Sequence, residues 1–173
     1  MTSSPTGLKD SLLRGYLTSA KVEIAVTAVF AALAGISRFF QIPLFPPLIV
    51  LDLAGAFAYV PTSLVSFPLV SVFILVNTMT APNPFLAIAS WILSIPLVNI
   101  VSKLSRRYAM WAPLIGPYTG IFTFVAVLNA VGALPPAISV PTLLVRATVN
   151  MVVIVLLSPV IWKTFERMGL LRG

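Results

Sequence analysis

The 173-residue sequence contains no cysteine and no histidine. Their absence removes disulfides, thiolate and imidazole metal ligands, and every Ser/His or Cys/His catalytic pair. Acidic residues are almost as scarce: four Asp and Glu stand against eleven Lys and Arg, for a formal net charge of +7. Charged residues make up 9% of the chain, where a soluble domain carries about 25%. That leaves too little polar surface to face water all round. No G-x-x-x-x-G-K-[ST] loop cradles phosphate, so any ATP hydrolysis must take place in another chain. No repeat or second domain is visible.

What is present is apolar: 59% of the residues are hydrophobic. Residues 1–21 form a polar cytoplasmic segment, followed by an apolar run at 22–40. That run is too long for a signal peptide and has no small-residue cleavage site after it, so it reads as a retained span. The proline-rich QIPLFPP (41–47) breaks the helix, and shorter apolar segments follow at 48–60, up to Pro61, and at 62–77. After the turn NTMTAPNP come segments at 85–102, 111–134 and 140–162, separated by the charged KLSRRYAM and by Pro135 and Pro136. The expected fold is therefore an all-α integral membrane protein, a compact bundle of six transmembrane helices over residues 22–162 with a cytoplasmic tail at 163–173.

Orientation follows from the basic residues. Lys9, Arg14, Lys21, Lys103, Arg106, Arg107, Lys163, Arg167 and Arg172 all fall on one side of a six-span arrangement. By the positive-inside rule that side is the cytoplasm, which puts both termini inside and the protein in the cell membrane. Tyr108, Trp111 and Trp162 sit at the cytoplasmic ends of spans, as an aromatic belt requires. The basic residues cluster beside apolar runs without aromatic interleaving, which argues against a nucleic-acid surface.

Polar groups inside a membrane are costly, and they are the functional candidates. At 1.5 Å per residue, Arg146 lies ~9 Å below the outer surface, Asp52 ~6 Å, Asn129 ~8 Å and Trp91 ~10 Å. Asn150 follows Arg146 one turn later on the same face, and Arg38, Asn77 and Asn83 lie above. These depths coincide, which predicts a polar cavity opening outward with Arg38, Asp52, Asn83, Trp91, Asn129, Arg146 and Asn150 as binding residues. Two arginines against one aspartate favour an anionic ligand, and Trp91 could stack on a flat one. Equally, Arg146 and Asp52 could pair with each other, and Asn129 and Asn150 could join helices by hydrogen bonds.

The first helix carries a second signal. In EIAVTAVFAALAGISRFF, small residues recur as Ala28-x-x-x-Ala32 and Ala31-x-x-x-Gly35, with Ala25 one turn earlier. A strip of this kind lets another helix approach closely, either inside the bundle or on a partner.

The size, the six short spans, this alanine strip, the loop PLFPP and the segment LIVLDLAGAFAYVP together resemble the substrate-binding S-component of energy-coupling factor (ECF) transporters. The resemblance extends over nearly the whole chain, although Val60-Pro61 stands where members often have Gly-Pro. It implies capture of a water-soluble vitamin or related precursor near the outer face, without catalysis and without a cofactor or metal. It also implies docking through Ala25, Ala28, Ala32 and Gly35 on a transmembrane T-component served by two cytoplasmic ATPase subunits. The rival class is a scaffold membrane protein of MreD-like type, which needs no outer polar cavity. An intramembrane enzyme lacks its nucleophile–base pair, and a secondary carrier lacks its duplicated half.

Overall fold

A computed structural model describes residues 12–40, 42–45, 49–51, 53–132 and 140–172, with the backbone alone at 42–45 and 49–51. Helix α1 (Ala20–Ser37) starts at Ser19, whose hydroxyl accepts the Val22 N–H at 3.3 Å. A two-stranded antiparallel ribbon follows, β1 (Ile42–Phe45) with β2 (Ile49–Leu51). Next come α2 (Leu53–Thr62) and α3 (Phe67–Met79), the first turn of α3 being a 3-10 turn at Phe67–Leu69. Helix α4 (Pro84–Leu104) is capped by Asn83, which accepts the Leu86 N–H, and Pro84 occupies the first helical position where no N–H is needed. A single turn, α5 (Arg106–Ala109), leads through the 3-10 turn Ala112–Ile115 into α6 (Gly116–Ala130), and α7 (Val140–Arg167) completes the bundle.

Among the described residues, four helical stretches are long and apolar enough to cross a membrane: Ala20–Ser37, Pro84–Leu104, Ala112–Ala130 and Val140–Arg167. Large apolar side chains stay exposed along them, among them Ile24, Val29 and Ile36 on α1 and Leu156 and Val160 on α7. Such continuous outward apolar faces suit hydrocarbon rather than water. The two remaining helices differ from the sequence expectation. At 10 residues α2 reaches only ~15 Å, and the Phe67–Met79 stretch is also shorter than a ~30 Å hydrocarbon core. Residues 49–51, expected within the second apolar segment, pair instead with the 42–45 strand. Pro61 lies inside the last turn of α2 rather than after it.

The junction between the two short helices, residues 62–66, is fully buried. Burying irregular backbone demands partners for its carbonyls, and α4 supplies them. The Asn99 amide donates to the carbonyls of Thr62 (2.6 Å) and Val65 (3.0 Å), and the Ser102 hydroxyl reaches that of Ser63 (3.1 Å). Lys103 Nζ lies 3.4 Å from the same Ser63 oxygen and 4.2 Å from the centroid of the Tyr16 ring. Glu23, 5% exposed, accepts the Gly15 N–H (3.1 Å) with one oxygen and the Ser66 N–H (3.2 Å) with the other. The charges suit the helix ends, with a cation at the C-terminus of α2 and an anion at the start of α3.

The segments that flank α1 and α7 close over this junction. Tyr16 N–H donates to the Leu64 carbonyl (2.6 Å), and the Tyr16 hydroxyl to that of Ser102 (2.6 Å). After α7, Gly169 adopts φ +66°, and the Leu170 N–H returns to the Phe165 carbonyl (2.9 Å). This left-handed stop turns the chain back so that Leu171 bridges Leu17. We call this the Tyr16 end of the bundle and the opposite one the Arg38 end.

Candidate functional site: a cavity at the Arg38 end

A cavity of about 420 Å³ runs from the exposed Pro82–Asn83 turn at the Arg38 end down to the buried Tyr59 and Ile154. Its position follows from helix phase. Pro117, Gly120, Ile121 and Phe124 recur on one face of α6, and Leu143, Arg146, Ala147, Asn150 and Ile154 on one face of α7. Asn83, Leu86, Ala87, Ser90 and Trp91 close the α4 side.

Five of the seven residues expected from the sequence line this cavity: Arg38, Asn83, Trp91, Arg146 and Asn150. Asp52 lies outside the described residues. Asn129 does not line it; it is exposed near the C-terminus of α6. At 100° per residue Asn129 points roughly 120° away from the Pro117–Phe124 stripe, an offset that depth along the helix cannot reveal.

Arg38, the C-cap of α1, is held from two sides. Its guanidinium carbon is 5.4 Å from the Trp91 ring centroid, and Nη2 lies 3.4 Å from Asn77 Oδ1. Asn77, buried on α3, in turn donates to the Phe73 carbonyl (2.8 Å). Trp91 also meets Tyr59, with centroids 5.2 Å apart and planes tilted by 40°. At 8% exposure, Trp91 is engaged by both neighbours and presents little open face for stacking a ligand.

Sequence reading missed Tyr59, which looks there like one more apolar helix residue. Its hydroxyl lies 3.1 Å from Ser94 Oγ, and that hydroxyl donates to the Ser90 carbonyl at 2.6 Å. Since Ser94 has one proton and gives it to Ser90, Tyr59 is the donor in the pair. The ring fits because α6 has no side chain beside it: a Cβ on Gly116 would fall 2.6 Å from ring carbons of Tyr59, and one on Gly120 3.1 Å from its hydroxyl.

Arg146 contrasts with Arg38. It lies on α7 one turn from Asn150, and no hydrogen bond or ion pair ties it to another described residue. A half-buried cation facing an apolar and aromatic cavity can receive an anion, because its donors meet no acceptor among the described residues. The cavity therefore combines an apolar wall with a few convergent polar groups, the composition of a small-molecule site.

On the outer surface of α1, Ala25, Ala28 and Ala32 are exposed, as a docking strip requires, whereas Gly35 is buried. A Cβ on Gly35 would meet Thr80 and Val76 side-chain carbons at 3.3 Å, so this glycine admits α3 and not an outside helix. No protein-family model, curated protein or solved structure matches the chain.

Proposed function

We propose that the chain is a solute-capturing membrane subunit of the ECF S-component kind, taking up a small water-soluble vitamin or precursor that bears an anionic group. In this reading all six apolar helical segments traverse the bilayer, with the ribbon and the junction between α2 and α3 making up the length the short helices lack. Both termini lie in the cytoplasm and the Arg38 end faces outward. The observation that carries the reading is the cavity itself: arginine and asparagine side chains gathered with aromatics at one end, while the other end is closed by the buried bonds around residues 62–66. Such an arrangement suits receiving a solute from one side.

Mass spectrometry of small molecules released from protein purified in mild detergent tests it. A stoichiometric vitamin-like acid supports the reading, while an empty protein that binds no member of a vitamin panel favours the scaffold class. Replacing Arg146 or Arg38 by glutamine is expected to weaken solute binding by more than about tenfold, since a charge-assisted bond of about 1.5–3 kcal/mol is lost. Unchanged affinity in both variants would refute the anionic ligand.

The partners in this reading are a transmembrane T-component and two ATPase subunits, met through the exposed alanines of α1. A tryptophan at Ala28 or Ala32 is expected to abolish co-purification of the T-component while leaving solute binding intact. Normal recovery of the complex with both variants would rule out that surface.

A further inference from the structure

Where α4 leaves the bundle at Leu104, the chain forms a short, firmly held shelf. Ser105 is extended, α5 makes one turn, and the N–H groups of Tyr108, Trp111 and Leu114 donate in succession to the carbonyls of Ser105 (3.0 Å), Tyr108 (2.9 Å) and Trp111 (3.0 Å). Ala109 and Ala112 are buried beneath it, and the Ser158 hydroxyl of α7 donates to the Met110 carbonyl at 2.5 Å.

Its outward side carries two cations and two aromatics. Arg106 and Arg107 are exposed, Tyr108 is 58% exposed and Trp111 40%. The Arg107 guanidinium stands 5.7 Å from the Tyr108 ring. Other exposed cations share this end of the bundle: Arg14, Lys21, Lys163 and Arg167. Of the described carboxylates, Glu23 is buried with both oxygens bonded, and only Glu166 is exposed. No ion pair engages Arg106 or Arg107 among the described residues.

We propose that Arg106, Arg107, Tyr108 and Trp111 form a binding site for the phosphate headgroup of an anionic phospholipid. The guanidinium groups present paired donors to phosphate oxygens. The exposed rings, which a site for a dissolved anion does not need, suit the layer just beneath the headgroups, where amphipathic aromatics concentrate. Arginine beside an anionic leaflet attracts anionic lipid, so the two arginines together are expected to enrich it locally by roughly tenfold. The proposal rests on the membrane-embedded part of the functional reading and not on solute capture, so an empty cavity leaves it standing.

Trp111 serves as the reporter, since Trp91 and Trp162 are each 8% exposed. The full chain is reconstituted in phosphatidylcholine discs containing an equal minor share of brominated phosphatidylglycerol or brominated phosphatidylcholine, with Trp111→Phe as the background. Quenching of Trp111 is expected to favour the brominated phosphatidylglycerol by several fold at low salt. The preference should shrink as salt rises and vanish in an Arg106→Gln/Arg107→Gln variant with an unchanged unfolding temperature. Equal quenching by the two lipids, or a preference that survives the double substitution, overturns the site. So does its abolition by millimolar inorganic phosphate, which would mark a site for a dissolved anion. An absent lipid preference together with lost ATPase recovery in the double variant would assign the patch to a protein partner instead.

Discussion

Replacing Glu23 by alanine is expected to destabilise the purified protein by roughly 3–6 kcal/mol, because hydrogen bonds to a charged group contribute about 1.5–3 kcal/mol each and two are lost. The Gly15 and Ser66 N–H groups, both buried against this carboxylate, would lose their acceptor. The effect reaches beyond one residue. Glu23 ties α1 to the residue just before α3, and Lys103, also buried, would lose a favourable opposing charge. Glu23→Gln should recover part of the loss, since its amide oxygen can accept one N–H while its amide nitrogen confronts the other. Thermal unfolding in detergent measures the difference. An alanine variant as stable as the parent would mean that the carboxylate does not bridge these segments.

Gly116→Ala should be nearly as damaging and should reach the candidate site directly. A methyl group at this position falls 2.6 Å from three carbons of the Tyr59 ring, well inside contact distance. Tyr59 is 3% exposed and tied to Ser94, so the ring yields only by breaking that bond or by moving into the cavity it lines. Overpacking of this kind costs about 1–3 kcal/mol. A loss of about 3 kcal/mol is expected and, on the proposed function, a more than about tenfold fall in solute binding. Combining Gly116→Ala with Tyr59→Ala removes the clash, so the double variant should be more stable than the sum of the two single effects allows. Unfolding temperatures of the three variants check this; strict additivity would show that the two residues do not meet.

Parts of this molecule were legible in one dimension. The apolar runs placed the four long helices to within a few residues, because each run is set by hydrocarbon thickness and ends at proline or charge. The depths of Arg38, Asn83, Trp91, Arg146 and Asn150 also coincide in space, all five lining one cavity. Depth is a one-dimensional quantity, which counting residues along a helix supplies. Rotation about the helix axis is not, and that is why Asn129, at the right depth, points elsewhere. The stretch at 48–77 was the least readable. Its apolar residues suit strand, short helix and buried turn equally well, and only pairing with residues 42–45 and capping by α4 distinguish them.

Tyr59, Glu23 and Lys103 carry the same lesson in reverse. None stands out in the sequence, since a tyrosine in an apolar run and two charges near helix ends are ordinary lipid-facing or interfacial residues. Their roles depend on what meets them from distant parts of the chain: Gly116 and Ser94 for Tyr59, Gly15 and Ser66 for Glu23, Ser63 and Tyr16 for Lys103. Composition and charge order alone determined that several helices of this chain are apolar enough to enter a membrane and which loops are basic, because transfer free energy adds up along the chain. Which polar groups face one another, and so where a solute could sit, was decided only by the packed bundle, because a hydrogen bond or an ion contact depends on angle and distance between segments the sequence keeps far apart.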